Sequence, residues 1–588
     1  MVPEIEGAPC VWLPRAVEEE LAYQAQRVHW ALGDGWDPQD VEWAWDGERL
    51  WLLQARPVTH VPRPGWAETA AMPRYWSRAN LKDNQPGIYS DLSWSGLENV
   101  VLDALFGVMK LAGYRVPPGM QVVRRFHGRG YFDLTTMEYG FYDAFGIQPA
   151  DIMKTIGGHQ PQIDVPPKPL SGAAGWRRLK TTFCLLCMVW NHPRHAHAVA
   201  AKCIGTARRL AEFDWRGASL AEMAQGMVEV SLAEEAFIPV FALANASSGP
   251  WQLGLDGMLK DPVLVNRLQA GSGAVASAEH GYRLYEIASG KSTIEEFLRE
   301  FGHRAVYETE VENPRWIEDP SWILQQVETI RAYPPERDPR DVAAEVRREA
   351  EREVRRRFPW RAPLILWEAR KLRESSAARE GTKSAMVSMI WPVRRIALES
   401  ARRLVEAGLL DRPEQIFRFT SADLRCFLRG WWDGNGAREL ACDRERTRER
   451  WLSEDCPEVI TEAPDGAMVV ESPALETPAA GAGWVGMAVS PGAAVGPARV
   501  VRNPGDAEHL LPGDVLCAPS TDPGWTPLFL RASAIVIETG GYLSHGSIVA
   551  REYGIPAVAN VPGILDAVRD GERLKVDGSR GCVVRERQ

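Results

Sequence analysis

The sequence lacks the features that would place a chain in a membrane or in an oxidising compartment. No apolar run approaches the ~18 residues needed to cross a bilayer. The longest candidate, "FCLLCMVW" (183–190), reads as a short buried-helix segment. The opening "MVPEIEGAPCVWLPRAVEEE" has no basic start followed by an apolar core, so it does not read as a secretory signal. Cysteine is sparse: the nine residues are scattered without a disulfide framework, which points to a reducing cytoplasm. Cys184 and Cys187 have CxxC spacing, but their apolar neighbours and the lack of a second pair make them buried structural residues. A basic excess is missing too. With 68 Lys and Arg against 78 Asp and Glu, the formal charge of -10 argues against nucleic acid or a membrane surface as partner and leaves small molecules or protein. No Gly-rich nucleotide loop is found anywhere in the chain.

What is present divides into segments. A chain of 588 residues exceeds what one core usually supports, so two to four domains are expected. Residues 1–61 begin with a helical run, "AVEEELAYQAQRVHWALG", and end in alternating "VEWAW" and "LWLLQARPV", which read as a hairpin. "HVPRPGW" (60–66) reads as a linker. Residues 62–454 are Arg/Glu-rich and mainly helical in period, as in "DVAAEVRREAEREVRRRF". Residues 455–482, rich in Pro, Ala, Gly and acidic groups, read as a flexible tether. Beyond it, 483–588 alternates short β-branched strands with Gly/Pro turns around one helix, a compact α/β domain. The expected fold class is multidomain α+β.

The stretch "TGGYLSHGSIVAREYGIPAV" (539–558) concentrates chemistry. Gly540 and Gly541 permit a tight turn, Ser544 suits an N-cap, and Gly554 is placed to end the helix. His545 then takes the first helical position, where free backbone N–H groups and the positive helix end suit a phosphoryl group. The same environment keeps a bare imidazole neutral and nucleophilic. A histidine that merely packs at a helix start is the plainer reading. Together with "VSPGAAVGPARVV", "PGDVLCAPSTDPGWTPLF" and "VDGSRGCV", the segment resembles the phosphohistidine swivelling domain of the phosphoenolpyruvate synthase and pyruvate phosphate dikinase superfamily. The resemblance implies that His545 carries phosphoryl between two distant sites, with Thr539, Gly540, Gly541, Ser544 and Arg551 shaping its pocket or serving structure.

"DPQDVEWAWDGERLWLLQARPVTH" resembles the closing hairpin of the same superfamily's ATP-grasp domain. Glu42 can ligate Mg²⁺, Gln54 can help orient it, and Arg56 can hold phosphate oxygens bidentately. A three-residue loop, Asp46–Glu48, would oppose Glu42 to Leu52 and leave Gln54 and Arg56 on the same face, whereas a two-residue loop would separate them. An ordinary hairpin edge is the alternative. A full ATP-grasp domain is several times longer than this segment. The expectation is therefore a C-terminal remnant, with ATP and Mg²⁺ used only together with an ATP-grasp portion outside this chain, such as a separate polypeptide.

The order of segments resembles the rifampin phosphotransferase arrangement. "FGHRAVYETEVENPRWIEDP" (301–320) and "AAREGTKSAMVSMIWPVRRIALESARRLVEAGLLDRPEQIFRFT" (377–420) carry that likeness most clearly. Arg379, Glu380 and Lys383 are related by i,i+4 and i,i+3 steps, so one helix can present all three to a single patch. The patch offers two cations for a phosphoryl group and a carboxylate able to take a proton from a hydroxyl. The resemblance assigns that work to these residues; spacing alone favours a helix-surface ion-pair cluster. His303, Arg304, Glu308 and Glu310 form a second polar set, read as a structural network beside the substrate cavity, with direct catalysis by His303 as the alternative. His192, His195 and His197 in "NHPRHAH" lack nearby Cys or carboxylate partners, so a loop or helix start is expected there rather than a metal site. The 23 tryptophans mostly pack, and some line a cavity for an aromatic or apolar acceptor.

These readings imply a cytoplasmic dikinase-type phosphotransferase that moves phosphoryl from ATP through His545 to a small-molecule hydroxyl. The alternatives are a component of a carboxylate-activating ligase and an inactive binding subunit.

Overall fold

In the computed structural model, residues 13–58, 64–156, 161–165, 172–271, 276–334, 337–454, 456–471, 483–542 and 544–586 are described. The chain starts with helix α1 (Arg15–Gly33), closed by Asp34 in the left-handed region, and the hairpin β1 (Gln39–Trp45) and β2 (Leu50–Pro57). Asp46 builds the turn: its carboxylate accepts from the Glu48 and Arg49 amides at 2.9 and 2.8 Å and from the Trp51 indole at 2.8 Å. The loop therefore runs from Asp46 to Arg49, one residue longer than expected, and pairs Trp45 with Leu50. A bulge between Glu42 and Trp43 then shifts the register, so Glu42 faces Gln54 and Asp40 faces Arg56. The expected Glu42–Leu52 pairing does not form. Its replacement still leaves Glu42, Gln54 and Arg56 on one face, because directly opposed residues share a side and side chains alternate along each strand.

A five-stranded antiparallel sheet follows, in the order β4 (Val123–Phe126), β5 (Arg129–Asp133), β3 (Arg74–Ser77), β6 (Val459–Glu462), β7 (Met468–Glu471). Its last two strands come from the stretch expected to be a tether. Val459 and Ile460 are buried, and the indole of Trp76 donates to Glu462 at 2.8 Å, so this part is bound to the helical domain rather than free. The remainder of the expected tether, 472–482, and the expected boundary at 61/62 lie outside the described residues.

The helical bulk is built on three long helices, α2 (Gly172–Glu212), α3 (Leu220–Leu259) and, later in the chain, α5 (Ala362–Ser388), which pack on one another. Prolines 193, 239 and 250 lie inside α2 and α3, each forfeiting a helical hydrogen bond, so tertiary burial rather than propensity holds these helices. A capping box, Ser219 with Glu222, starts α3. Helix α4 (Ala276–Ala288) lies between α3 and α5 in the chain and packs against α5. Three expectations change here. "NHPRHAH" is interior to α2, where an i,i+4 ladder carries the chain past Pro193 instead of a loop. "FCLLCMVW" buries only one stripe, Leu185 and Val189, and leaves Phe183 and Trp190 more than half exposed. Cys187 is likewise exposed, because its position falls on the outer face of α2.

The C-terminal domain holds an eight-stranded sheet in the order β8 (Trp484–Val485), β15 (Cys582–Arg585), β14 (Arg573–Asp577), β10 (Ala493–Val500), β11 (Val515–Ala518), β12 (Ala534–Ile537), β13 (Ala557–Ala559), β9 (Met487–Ser490). Strands β10 to β13 are parallel and the flanks antiparallel. β11 and β12 are buried on both faces, matching their unbroken apolar sequences. The link from β12 to β13 is helix α6 (His545–Tyr553), ended by Gly554 in the left-handed conformation. His545 thus stands just beyond the carboxyl ends of parallel strands, where α/β sheets place ligands. The described residues form a multidomain α+β molecule that is mainly helical.

Candidate active site

Helix α6 starts at His545 with Ser544 as N-cap by backbone conformation. The Ser544 side chain does not cap, however. It hydrogen-bonds Ser547 Oγ at 2.9 Å, and Ser547 Oγ donates to the Gly541 carbonyl at 2.8 Å. Neither Gly540 nor Gly541 uses a left-handed backbone; a Cβ at Gly540 would lie 3.0 Å from Ser544 Oγ, a tight approach that glycine avoids. Arg551, one and a half turns on, is buried and donates to the Tyr542 carbonyl at 2.8 Å, so it fixes the loop that delivers His545.

The His545 ring is 6% exposed. Its Nε2 shares a 3.0 Å hydrogen bond with Thr526 Oγ1, and its Nδ1 has no hydrogen-bond partner. Burial first, then Lys383, Arg304 and Arg379, drive its pKa well below the ordinary imidazole value. The ring is therefore neutral at physiological pH and keeps a nucleophilic lone pair. Gly546 makes the tight approach possible, since a Cβ there would overlap Thr521 Oγ1 and Ile537 Cδ1.

The cations facing His545 come from the helical domain. Arg379, Glu380 and Lys383 lie on α5, as the spacing requires, with Glu380 buried at 3% exposure. Arg379 Nη2 lies 4.0 Å from Glu380 Oε1, and Lys383 Nζ lies 4.0 Å from Glu308 Oε1. Arg304, fully buried, reaches Glu308 Oε2 at 3.6 Å. None of the Arg304 guanidinium nitrogens and neither Glu308 oxygen makes a hydrogen bond. Buried donors and acceptors left without hydrogen bonds are costly, so this ion pair is held at an energetic cost.

Glu310 contrasts with Glu308. It accepts from the Ser90 amide (2.9 Å), Ser90 Oγ (2.5 Å), Ser93 Oγ (2.6 Å) and the Glu312 amide (2.9 Å). That is a structural clamp between residues 90–93 and 310–312. Glu310→Ala should lower stability by about 3 kcal/mol, read by urea denaturation, since it strands several buried donors.

Four residues of the site escaped the sequence reading. Thr526 and Asp522 sit in "TDPGWTP", Gly546 follows the histidine, and His280 lies on α4. Asp522 accepts from the Tyr307 amide, across the domain interface, and from the Gly524 amide at 3.0 Å. Burial and neighbouring Glu308 push its carboxyl up to about 7. His280 is 1% exposed with both ring nitrogens unpartnered, and it stands edge-on to Phe301 at 4.3 Å. Burial, then Arg304, His545 and His303, hold it neutral. Nothing local in "ASAEHGYRLYEIA" marks His280 apart from its polar neighbours.

His303 hydrogen-bonds Ser384 Oγ at 3.3 Å, and burial followed by Arg304 pushes it down to about 3. An unfolded histidine protonates near pH 6.5 while this one stays neutral, so the unfolded chain binds more protons at lower pH. Its contribution is complete above about pH 6.5 and is lost as pH falls toward the folded value, at about 1.4 kcal/mol per unit. Unfolding midpoints measured from pH 7 to 4 should fall accordingly, and His303→Gln should flatten the decline.

Glu42, Gln54 and Arg56 are not part of this cluster. They lie on the separate hairpin, exposed, with Arg56 bonded to Asp40 at 3.0 Å and 3.8 Å from Glu42. Among the described residues no group of three or more His, Cys, Asp or Glu is arranged to hold a metal ion. No helix among the described residues is long and apolar enough to cross a membrane.

Two family models match the chain on either side of the interface. Residues 510–581 match the PEP-utilising enzyme mobile domain, and residues 289–380 match the rifampicin phosphotransferase fourth domain. Prodigiosin synthesizing transferase PigC of Serratia marcescens is 27% identical over 93% of this chain and 68% of that protein. Rifampicin phosphotransferases of Bacillus subtilis and Streptomyces sviceus are 32% and 29% identical, each over 50% of this chain. The chain spans about a third of the length of those two proteins, 34% in each case. His545 falls in the first match, and His303, Arg304, Glu308, Arg379 and Glu380 fall in the second.

Proposed function

We propose, from a chain that is rifampicin phosphotransferase-like and carries the mobile domain of the PEP-utilising enzymes, that it is the acceptor half of a dikinase-type phosphotransferase. The observation that carries the proposal is a buried, neutral His545 facing Lys383, Arg304 and Arg379 from another domain. In the complete system His545 attacks ATP, AMP leaves, and hydrolysis of the pyrophosphoryl histidine releases inorganic phosphate and leaves one phosphoryl on the ring. In the arrangement described here that group would be surrounded by Arg379, Lys383 and Arg304. A hydroxyl of a small molecule attacks it, the proton passes to Glu380, and His545 returns as the neutral leaving group. Positioning and charge stabilisation supply most of the rate, as phosphoryl transfer requires.

ATP and Mg²⁺ enter this proposal through the hairpin. Glu42 and Gln54 offer oxygen ligands to a hard cation, and Arg56 a guanidinium to phosphate, once released from Asp40. The other nucleotide contacts would come from a separate ATP-grasp portion. The carrier domain, 483–588, would travel between that portion and the acceptor domain on the residues after β7, so the tether is shorter than the 455–482 first expected. The acceptor is a hydroxyl compound, aromatic or apolar, in a cytoplasmic setting.

The test combines the chain with an ATP-grasp partner and ATP labelled on the β-phosphoryl. Acid-labile label on His545 is expected, and its absence would sink the proposal. A second reading, phosphoryl activation of a carboxylate for condensation, is favoured by the relative that matches 93% of the chain, whose name is that of a prodigiosin-synthesizing transferase. A stable phosphate ester supports the first reading and a condensed product the second.

A further inference from the structure

Helix α4 carries a glycine where helix propensity disfavours one. Gly281 lies in the interior of Ala276–Ala288, and glycine there is less stable than alanine because of the backbone freedom it loses. The reason stands opposite, on the C-terminal domain. A Cβ at Gly281 would overlap the Tyr553 hydroxyl, lie 3.0 Å from Tyr553 Cζ and approach Thr526 Cγ2 at 3.4 Å. Thr526 is the residue that holds the His545 ring. Tyr553 is the last residue of α6, the helix that His545 starts, and it is 4% exposed. Its ring lies 5.2 Å from that of Tyr282, which is buried among the core residues of the C-terminal domain although it belongs to α4.

Three further contacts close the same interface. Tyr307, with its backbone in the left-handed region, donates its amide to Asp522, and Gly524 lies so close that a Cβ would be 3.1 Å from Val306 Cγ2. Ser520 Oγ donates to the Lys82 carbonyl at 3.2 Å. His545 is buried because these contacts seat its domain; the notch at Gly281 admits the far end of its helix.

We infer that the α4 surface around Gly281 is the docking cradle of the C-terminal domain, and that Gly281 is a positioning residue whose missing side chain lets Tyr553 seat and brings His545 to the acceptor site. The inference rests on the proposed relay for its purpose, but the docking itself is testable without it. Alanine at 281 strengthens α4 as a helix and opposes only the seating of Tyr553. Tyr553→Phe removes the overlapping oxygen and leaves the ring carbon at 3.0 Å, a close contact that a few tenths of an ångström of give relieves. The pair therefore forms a rescue experiment.

The probe is diethyl pyrocarbonate, which carbethoxylates accessible unprotonated imidazoles, applied to the full chain at neutral pH and read by peptide mass spectrometry. His545 is already neutral, so its protection reports burial alone. His197, exposed on α2, serves as the internal reference. In the parent chain His545 should react at least about tenfold more slowly than His197, as expected when a closed arrangement predominates. Gly281→Ala should abolish most of that protection, and adding Tyr553→Phe should restore the larger part of it. Protection unchanged in Gly281→Ala, no protection in the parent, or no rescue by Tyr553→Phe would each overturn the cradle. With an ATP-grasp partner and labelled ATP, Gly281→Ala should still load His545. If the parent never loads, the relay fails while the contrast in protection still decides the docking.

Discussion

His545→Asn is expected to reduce phosphoryl transfer by roughly 10³-fold or more, because it removes the covalent carrier itself. Asparagine keeps a polar side chain near Thr526 and fits the first turn of α6, so far-UV circular dichroism and the unfolding midpoint should stay close to those of the parent. Label from β-labelled ATP should disappear at the same time as product. A variant that loses product but still takes label would put the carrier elsewhere. His280, also neutral and unpartnered, would be the first residue to examine.

The second large effect is expected at Lys383. Lys383→Met keeps the aliphatic stem on α5 but removes the cation that stands 4.0 Å from Glu308 and acts on His545. Loss of one charge-stabilising donor in a water-poor site costs about 10²–10³ in rate. The loss should fall on one half of the reaction. His545 should load as in the parent, and the label should persist when hydroxyl acceptors are added, where the parent discharges it. Equal loss in loading and discharge would mean that Lys383 supports the fold of the interface rather than the transfer. Lys383→Arg restores charge but not the compact ammonium, so partial recovery of discharge is the expected signature.

The parts of this site that were legible in the sequence are those encoded within one or two helical turns. His545 could be placed at a helix start because its glycines and its C-terminal Gly554 lie within the same short stretch. Helical period put Arg379, Glu380 and Lys383 on one face of α5, while the resemblance was needed to give that face a role. Thr526, Asp522 and His280 did not, since each meets the histidine or its neighbours through a contact between elements distant in sequence. β6 was invisible for the same reason: its partner β3 precedes it by most of the chain, and the Pro- and Ala-rich surroundings hid its short apolar run. The hairpin register failed by one residue because Asp46 can bind two amides and an indole at once, which stabilises a longer turn, and the bulge then realigned the strands. Ser544 shows that a good cap residue can hold the cap conformation while spending its hydroxyl on another serine.

The anchoring of β6 and β7 sets a length scale. Between Glu471 at the end of β7 and Trp484 at the start of β8, the intervening chain can span no more than roughly 45 Å even when fully extended. In the proposed relay that span would confine the carrier domain to a small volume, in which its effective concentration at any reachable site is of millimolar order. The donor's reactive centre would then have to lie within that span plus the distance from Trp484 to His545, and lengthening the connection should slow exchange between the two ends without altering either site.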